Sequence, residues 1–295
     1  MQHLLQGVIT SMLTPFTNSG ALDIRRLRDE LEFQINSEVD GICILGGTGE
    51  SLSLSLEERL AVVKATNETV DKSVPVIVGC FVSQENEIIE FANRVLEIGA
   101  SALMVTPSPF YKLTPFHIKE LLNRISKQCN IPLVLYNAPR RSGVKLSAAD
   151  IGAIGAGLPK MIGVKDAAGD IPDFIRMANV LGPRRSLLQG LDDVFLPALS
   201  SGGSGGILAL ASVFPRIFVS IYKSWKAGDI NRAIANQMSI LPVMDVINRE
   251  PMPVLVKEAM AIIGRPVGPT RAPLYQPSDK IIDNLSKAVE HIKEI

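Results

Sequence analysis

A single lysine, Lys165, ends an apolar run that begins at Met161. If the run is a buried strand, the amine at its end loses hydration, which favours the neutral form over the ammonium. A neutral amine can attack a ketone and form a Schiff base, whose protonated form withdraws electrons from the adjacent carbon. A bound 2-oxo acid could then lose a proton or a carbon–carbon bond there. The alternative is a structural lysine that pairs with Asp166 or with another carboxylate.

Tyr136 is a second residue suited to such chemistry, because it ends another apolar run, 132–136. Neighbouring parallel strands lie about 4.8 Å apart, so Tyr136 and Lys165 can reach one cavity if the two runs are adjacent. A phenol beside an imine carbon suits a proton shuttle. The alternative is an aromatic residue at the rim of the protein with a solvated hydroxyl group.

Further polar residues follow the apolar runs. Segment 46–51, GGTGES, offers backbone N–H groups that could bind a carboxylate, or it is an ordinary tight turn. It matches neither the GxxxxGK[ST] nor the GxGxxG phosphate loop. Arg140 and Arg141 could hold a second carboxylate through paired hydrogen bonds, or they lie on the surface. Asp192 and Asp193 are typical of a helix N-terminus, and this interpretation is favoured over a binding role.

These residues need structural elements that bring them together. Short apolar runs alternate with amphipathic segments and suit parallel strands that are buried on both faces. The runs are 7–13, 41–46, 74–79, 101–106, 132–136, 161–165, 186–190 and 205–210. Eight strand–helix units predict an α/β fold, a (β/α)8 TIM barrel, with a doubly wound open sheet as the alternative. In a barrel the carboxyl ends of the strands meet at one face, where active sites lie.

The predicted domain organisation is a barrel over residues 1–226, followed by a C-terminal helical extension over 227–295. The additional helices are predicted at 229–248, 251–263 and 278–295. Within the barrel, Asp23 is predicted to cap the first helix. The spacing of Ser55 and Glu58 predicts a capping box at the start of the next.

Composition argues against several classes of partner. Lys plus Arg number 30 and Asp plus Glu number 30, so the formal net charge is zero and no nucleic-acid or anionic-membrane partner is expected. No apolar run is long enough to predict a transmembrane helix, and the N-terminus lacks signal-peptide features, so a cytoplasmic protein is expected. Cys43, Cys80 and Cys129 lie singly in apolar settings, and His3, His117 and His291 are far apart, which gives little support to a metal site.

Several motifs together carry a family resemblance. They are TPF (14–16) with GALD (20–23), GGTGES (46–51), VTP with FY (105–107 and 110–111), YNAPRRSG (136–143), GVKDAAGD (163–170) and GRPVGPTRAPL (264–274). With them the chain resembles the Schiff-base pyruvate lyases of the dihydrodipicolinate synthase and N-acetylneuraminate lyase family. The resemblance implies a (β/α)8 barrel with C-terminal helices, a homotetramer, and no metal or organic cofactor.

The resemblance also implies catalytic roles for three residues. Lys165 matches the lysine that forms the imine, and Tyr136 matches the tyrosine that shuttles protons. Tyr111 matches the tyrosine that synthases insert into the site from a neighbouring subunit.

Five further residues match substrate-binding positions of the family. Thr48, with the backbone of Gly47, matches the site of the pyruvate carboxylate. Arg141 matches the arginine that synthases use for the carboxylate of aspartate semialdehyde. Gly190 and Ile207 match positions that line the lysine pocket.

Gly47 departs from the family pattern. Synthases usually carry a hydroxyl residue there, which links two tyrosines in a proton relay, although a water molecule could replace it. Sugar-acid dehydratases of the family carry glycine, but they lack the YNxP form of this chain. Ala209 stands where the sialate lyase has a serine.

The resemblance implies an enzyme that joins pyruvate to an aldehyde, or cleaves such a bond, through a Schiff base. Arg141 and Tyr111 favour 4-hydroxy-tetrahydrodipicolinate synthase, with pyruvate and aspartate semialdehyde as substrates. The alternatives are a 2-keto-3-deoxy sugar acid or 4-hydroxy-2-oxoglutarate aldolase, and then a sugar-acid dehydratase or N-acetylneuraminate lyase. The non-enzymatic alternative is a protein that binds and senses a 2-oxo acid. The presence of both Lys165 and Tyr136 argues against it.

Overall fold

The computed structural model describes residues 5–107 and 110–292 of the chain. Within these residues, eight parallel strands are hydrogen-bonded in chain order and close into a barrel, because β8 pairs with β1. The strands are β1 (Gly7–Ser11), β2 (Gly41–Ile44), β3 (Val76–Cys80), β4 (Ala102–Val105), β5 (Leu133–Asn137), β6 (Met161–Asp166), β7 (Ser186–Gln189) and β8 (Gly205–Leu208). The predicted (β/α)8 barrel is confirmed, and the open sheet was the wrong alternative.

Helices surround the barrel. Those that precede the closing strand are α1 (Ile24–Asn36), α2 (Leu56–Val70), α3 (Glu85–Ile98), α4 (Pro115–Gln128), α5 (Pro139–Ser142), α6 (Ala148–Gly155), α7 (Ile171–Leu181) and α8 (Phe195–Ser200). After β8 come α9 (Pro215–Ala227), α10 (Ile230–Ser239), α11 (Leu241–Ile247), α12 (Val254–Ile262) and α13 (Asp279–Glu290). His3 and the last three residues of the predicted helix 278–295 lie outside the described residues. Each helix in the described part of the chain is too short or too polar to cross a lipid bilayer.

The strands are buried on both faces, as their continuous apolar sequences predict. Successive side chains of a strand point to opposite faces, so each strand contributes to two cores. Ile9, Ile77 and Leu188 point inward and fill the barrel. Val8 and Leu187 point outward and pack under the helices. The barrel interior is therefore filled by a packed core.

Both predicted helix starts are confirmed. The Asp23 carboxylate accepts a hydrogen bond of 2.9 Å from the Arg26 amide and caps α1. The Ser55 hydroxyl accepts from the Glu58 amide at 3.2 Å, and the Glu58 carboxylate accepts from the Ser55 amide at 3.0 Å. These local bonds satisfy amides that a first helical turn leaves without partners.

Two local features differ from the sequence prediction. The helix predicted at 229–248 is two helices, α10 and α11, which meet at Ile240. Pro242 lies in the first turn of α11, where a missing N–H costs nothing, whereas inside a continuous helix it would break a hydrogen bond and clash with the preceding turn. The one-turn helix α5 was not predicted, because four residues are too few for a periodic pattern to show.

The chain leaves β2 through an unusual backbone conformation. Leu45 is buried and has a φ of 55°, in the left-handed region that a leucine rarely adopts. Its carbonyl oxygen faces Gly79 of β3 so closely that a Cβ there would lie 2.3 Å from the oxygen. Gly79 is therefore required by this close approach. The turn at Leu45 directs segment 46–51 over the mouth of the barrel.

Candidate active site

A cavity of about 400 Å³ opens at the carboxyl ends of the strands. Strand ends and the loops after them supply much of its lining, as expected for the functional face of a parallel barrel. Among the predicted site residues, those that line it are Gly47, Thr48, Tyr136, Arg141, Lys165, Gly190 and Ile207. Residues far apart in the sequence thus meet in one cavity.

Lys165 and Tyr136 occupy matching positions on neighbouring strands. Their Cα atoms are paired in the register of β5 and β6, and both side chains are nearly buried, at 6% and 5% exposure. The Lys165 Nζ lies 4.6 Å from the centre of the Tyr136 ring. Phe81 packs edge-on against the same ring and confines it from the β3 side. The predicted pair therefore shares one wall of the cavity.

Lys165 has no ion pair with the residues that the structure describes. Asp166, the partner suggested by the alternative interpretation, points to the other face of β6, because neighbouring strand residues alternate. There its carboxylate accepts a hydrogen bond of 2.6 Å from the Asn137 side chain and one of 3.3 Å from the Ala168 amide. The amine of Lys165 is left directed at the cavity.

The stability of the fold is expected to decline with rising pH because of Asp166. Burial raises the pKa of this carboxyl from 3.8 to about 6, against the opposing effect of its hydrogen bonds. A raised pKa means that the folded state holds the proton more tightly, so this contribution to stability is complete below about pH 4 and is lost through about pH 6. A shift of about two pH units corresponds to roughly 3 kcal/mol.

The measurement is the urea midpoint of unfolding between pH 4 and 7.5 for wild type and Asp166→Asn. The asparagine cannot titrate, so the decline with pH should be smaller in this variant. Asp245→Asn, on an exposed position of α11, is the matched control. Equal slopes for wild type and Asp166→Asn would contradict the assignment.

Gly190 leaves room for the side chain of Lys165. A Cβ at Gly190 would lie 2.9 Å from Lys165 Cε and 3.0 Å from the Ala167 Cβ. The Ala167 Cβ and the Asp166 carbonyl oxygen, which is 3.1 Å away, are fixed to the backbone, so a methyl group there must displace the flexible lysine side chain. Gly190→Ala is therefore expected to slow covalent attachment of pyruvate by roughly 10- to 100-fold, as measured by borohydride trapping over time.

Gly152→Ala is the control for this variant. It adds the same methyl group in α6, at an ordinary distance of 3.5 Å from Val180. Normal trapping by Gly190→Ala would mean that the lysine does not need the space.

Segment 46–51 is held in place by buried charges beneath it. Glu50 Oε1 lies 2.7 Å from Lys257 Nζ, and both side chains are almost completely buried. Glu50 Oε2 accepts from the Arg271 amide at 2.9 Å, and the Thr14 hydroxyl donates to the Gly49 carbonyl at 2.6 Å. The motifs TPF, GGTGES and GRPVGPTRAPL therefore meet at one place and position one loop.

Arg271 fastens the C-terminal segment to the barrel. Its guanidinium donates two hydrogen bonds to Glu58, of 2.6 and 2.7 Å, and further ones to the carbonyls of Gly20 and Ser53. The hydrogen bonds from Arg271 hold the pKa of Glu58 below its usual range. Arg271 of the GRPVGPTRAPL segment thus has a structural role.

Arg141 lies on α5, directly after β5. The Ser142 hydroxyl donates to the Ala138 carbonyl, and Gly143 ends the turn in the left-handed conformation. These local contacts aim Arg141 across the mouth of the cavity. Its guanidinium reaches Gly47, on the loop that follows β2.

Tyr111 is the predicted site residue that does not line the cavity. It is 65% exposed, and its ring packs edge-on against Phe110 at 5.2 Å. Within one chain the structure does not bring Tyr111 to Lys165.

Asp192 has a position that the sequence interpretation underrated. The sequence predicts a helix N-terminus here, and Asp192 begins the 3-10 turn Asp192–Val194 that leads into α8, but it is also buried and lines the cavity. Its Oδ1 accepts from the Leu210 amide at 2.8 Å, and burial raises the pKa of its carboxyl to about 6. The sequence signal was its place directly after β7.

The C-terminal wall of the cavity was missed by sequence reasoning. It comes from α11 and the chain after it, and consists of Met244, Ile247, Asn248, Glu250, Pro251 and Met252. No motif marks these residues, because their place depends on how α11 packs beside the barrel.

The cysteines are buried and free. Burial raises the pKa of the Cys43 and Cys80 thiols to about 11, so these thiols are not activated nucleophiles. Among the described residues, no three His, Cys, Asp or Glu side chains are grouped so that they could hold a metal ion.

Comparison with known proteins decides the family. A model of the dihydrodipicolinate synthetase family matches residues 4–292. The chain belongs to the dihydrodipicolinate synthetase family. Its similar members include a 4-hydroxy-tetrahydrodipicolinate synthase from Rickettsia bellii (strain OSU 85-389), 31% identical over 95% of this chain and 94% of that protein. The same enzyme from Clostridium perfringens (strain ATCC 13124) is 31% identical over 98% of both chains.

Solved structures of family members share the fold. Dihydrodipicolinate synthase from Thermotoga maritima superposes with a TM-score of 0.93 at 28% identity and covers 98% of both chains. A prophage protein of the family from E. coli K12, solved in complex with pyruvate, gives a TM-score of 0.95 at 26% identity, over 99% of this chain and 100% of that one. The family-model match and the named relatives confirm the predicted family. They also confirm the predicted class of enzyme, a Schiff-base lyase.

Proposed function

We propose that this protein forms a Schiff base between Lys165 and pyruvate and joins the resulting enamine to an aldehyde. The observation that carries the proposal is the position of the Lys165 amine. It is buried at the cavity, lies 4.6 Å from the centre of the Tyr136 ring, and has no ion pair with a described residue. An amine directed at the cavity in this way can attack the carbonyl carbon of a bound ketone.

The proposed steps use the residues around the cavity. The Lys165 amine adds to the ketone carbon of pyruvate, and water leaves as the imine forms. Loss of a proton from the methyl group gives an enamine, which attacks the aldehyde carbon. Hydrolysis, or attack by an amino group of the acceptor, then releases the lysine. Tyr136, in register with Lys165, carries protons to and from these atoms.

The carboxylate of pyruvate is proposed to bind at Thr48 and the backbone N–H of Gly47. Both residues line the cavity, and Thr48 is buried. The loop that carries them rests on the buried pair of Glu50 and Lys257, so its amides are fixed before the substrate arrives. The pyruvate complex of the E. coli relative supports this choice of donor.

The proposed acceptor is aspartate semialdehyde, which makes the activity that of 4-hydroxy-tetrahydrodipicolinate synthase. The similar proteins from Rickettsia bellii and Clostridium perfringens carry that name. Arg141 supports the proposal, because its guanidinium is at the cavity mouth and can hold a carboxylate through two hydrogen bonds.

A homotetramer is the proposed assembly, with Tyr111 entering the site of a neighbouring subunit. Tyr111 and the adjacent Phe110 are 65% and 86% exposed, which is unusual for aromatic side chains that make no contact with another protein.

We further propose that residues 227–295 act as an extension of the barrel that supplies one cavity wall, rather than as an independent unit.

The test is reductive trapping. The protein is incubated with pyruvate and borohydride, and the intact protein and its peptides are weighed. The expected result is one pyruvate-sized adduct on the peptide that contains Lys165. Turnover is then measured with pyruvate and a panel of aldehydes, with aspartate semialdehyde expected to give the highest kcat/KM. A folded protein that takes up pyruvate without forming an adduct would refute the proposal.

Gly47 favours a second candidate, an aldolase for 2-keto-3-deoxy acids. The site lacks a hydroxyl at this position, so a relay of the synthase type needs a water molecule. The test compares two rates. This candidate is favoured if the protein releases pyruvate from a 2-keto-3-deoxy sugar acid faster than it condenses pyruvate with aspartate semialdehyde.

A further inference from the structure

Ser11, the last residue of β1, lines the cavity although it lies outside the family motifs. The side chains of β1 alternate between the two faces of the strand. Ile9 points into the barrel, and Thr10 points outward to α1, where its hydroxyl donates to the Gln34 side chain at 2.8 Å. Ser11 therefore faces the interior again, and its side chain is buried, at 2% exposure. Its hydroxyl is directed at the cavity.

The hydroxyl of Ser11 has no partner within the described part of the chain. The hydroxyls on either side of it are used to hold the fold, since Thr10 donates to Gln34 and Thr14 donates to the Gly49 carbonyl at 2.6 Å. A hydroxyl that is removed from water without a new hydrogen bond costs free energy. We therefore expect a ligand that fills the cavity to provide an acceptor for Ser11.

Ser11 lies beside the loop that is proposed to bind the pyruvate carboxylate. A Cβ on Gly46 would lie 3.3 Å from Ser11 Oγ. Gly46 directly precedes Gly47 and Thr48, the two residues of the proposed carboxylate site. Among the described residues that line the cavity, those with a hydroxyl group are Ser11, Thr48 and Tyr136. A carboxylate at this loop is thus within the neighbourhood of a hydroxyl from β1.

We propose that the Ser11 hydroxyl donates a hydrogen bond to the carboxylate of the 2-oxo acid and thereby favours a charged ketone substrate over a neutral one. An ionised carboxylate has about four acceptor sites, so it can accept from Ser11 in addition to Gly47 and Thr48. Hydrogen bonds to a charged group are stronger than those between neutral groups. This inference rests on the proposed function and deepens it, because it adds a substrate-binding residue from a different strand.

The test compares pyruvate with its neutral methyl ester in wild type and Ser11→Ala. The alanine keeps the Cβ and removes only the hydroxyl. We expect KM for pyruvate, and the pyruvate concentration that gives half-maximal borohydride adduct, to rise about ten-fold or more. The corresponding concentration for methyl pyruvate should rise by about three-fold or less, because its ester oxygen is a neutral acceptor.

Thr10→Val is the matched control, because it removes a hydroxyl from the adjacent residue on the opposite face of β1. It breaks the buried bond to Gln34, so the urea midpoint of unfolding should fall, while KM for pyruvate should stay within about two-fold. Ser11→Ala should show the reverse pattern, with an unchanged or higher midpoint, because the hydroxyl of Ser11 has no bond within the described part of the chain.

Two results would overturn the inference while the proposed function stands. One is a wild-type adduct on Lys165 together with an unchanged KM for pyruvate in Ser11→Ala. The other is an equal effect of Ser11→Ala on pyruvate and methyl pyruvate with a lowered urea midpoint, which would indicate a structural role. If the wild-type protein forms no pyruvate adduct, the proposed function itself fails and the inference falls with it.

Discussion

Lys165→Ala is expected to abolish the pyruvate adduct and to lower kcat by at least about 1,000-fold. The reason is that the proposed covalent intermediate forms on this amine, and the described residues around the cavity offer no second lysine to replace it. The residual rate would come from substrate binding alone. Initial rates and the intact mass after borohydride treatment measure the two effects.

The same variant separates a catalytic loss from a folding defect. The amine of Lys165 is buried without an ion pair among the described residues, so its removal should leave the unfolding midpoint unchanged or raise it. Lys64→Ala, at an exposed position of α2, is the matched control and should keep full activity. An active Lys165→Ala variant, or an adduct on another lysine, would contradict the assignment.

Lys257→Met is expected to cost about 3 to 5 kcal/mol of unfolding free energy. The methionine fills most of the volume but leaves the Glu50 carboxylate buried without its cation, which lies 2.7 Å away in the wild type. Burial lowers the pKa of Lys257 against the opposing effect of the Glu50 carboxylate. Urea unfolding of wild type and variant measures the loss.

The double variant Glu50→Gln with Lys257→Met tests whether the cost comes from the unpaired charge. It removes both charges, so it should recover most of the loss. Lys223→Ala, which breaks the exposed pair with Glu38, is the control and should have little effect. A double variant that is less stable than Lys257→Met would contradict this explanation, because the loss would then not come from an unpaired Glu50 carboxylate.

The Lys257→Met substitution should also affect substrate binding in the proposed active site. Glu50 closes the segment that carries Gly47 and Thr48, so a displaced Glu50 loosens the proposed pyruvate-binding amides. We expect KM for pyruvate to rise in Lys257→Met and to return toward the wild-type value in the double variant.

The strand and helix pattern could be predicted from the sequence because its causes are local. A continuous apolar run such as 161–165 favours a strand that is buried on both faces. The Ser55–Glu58 capping box is made by residues three apart in the chain. The same local rules place Tyr136 and Lys165 at strand ends. The direct pairing of β5 with β6 in the folded barrel then places these two residues side by side.

The break between α10 and α11 could also have been predicted. Pro242 is visible in the sequence, and a proline is accepted in the first turn of a helix rather than in its interior. The error came from treating 229–248 as one periodic segment. Helix α5 is a different case, because its four residues are held by contacts to the end of β5 and carry no pattern of their own.

Apolar patterning predicts the barrel and its approximate elements, and residue type predicts Lys165 as the nucleophile. The surroundings of this lysine followed only from the folded structure. The contact of Arg141 with Gly47, the burial of Glu50 against Lys257 and the wall from Met244 to Met252 join segments far apart in the chain. Such contacts depend on how the strands and helices of the closed barrel pack in space, and no local preference of the chain encodes them.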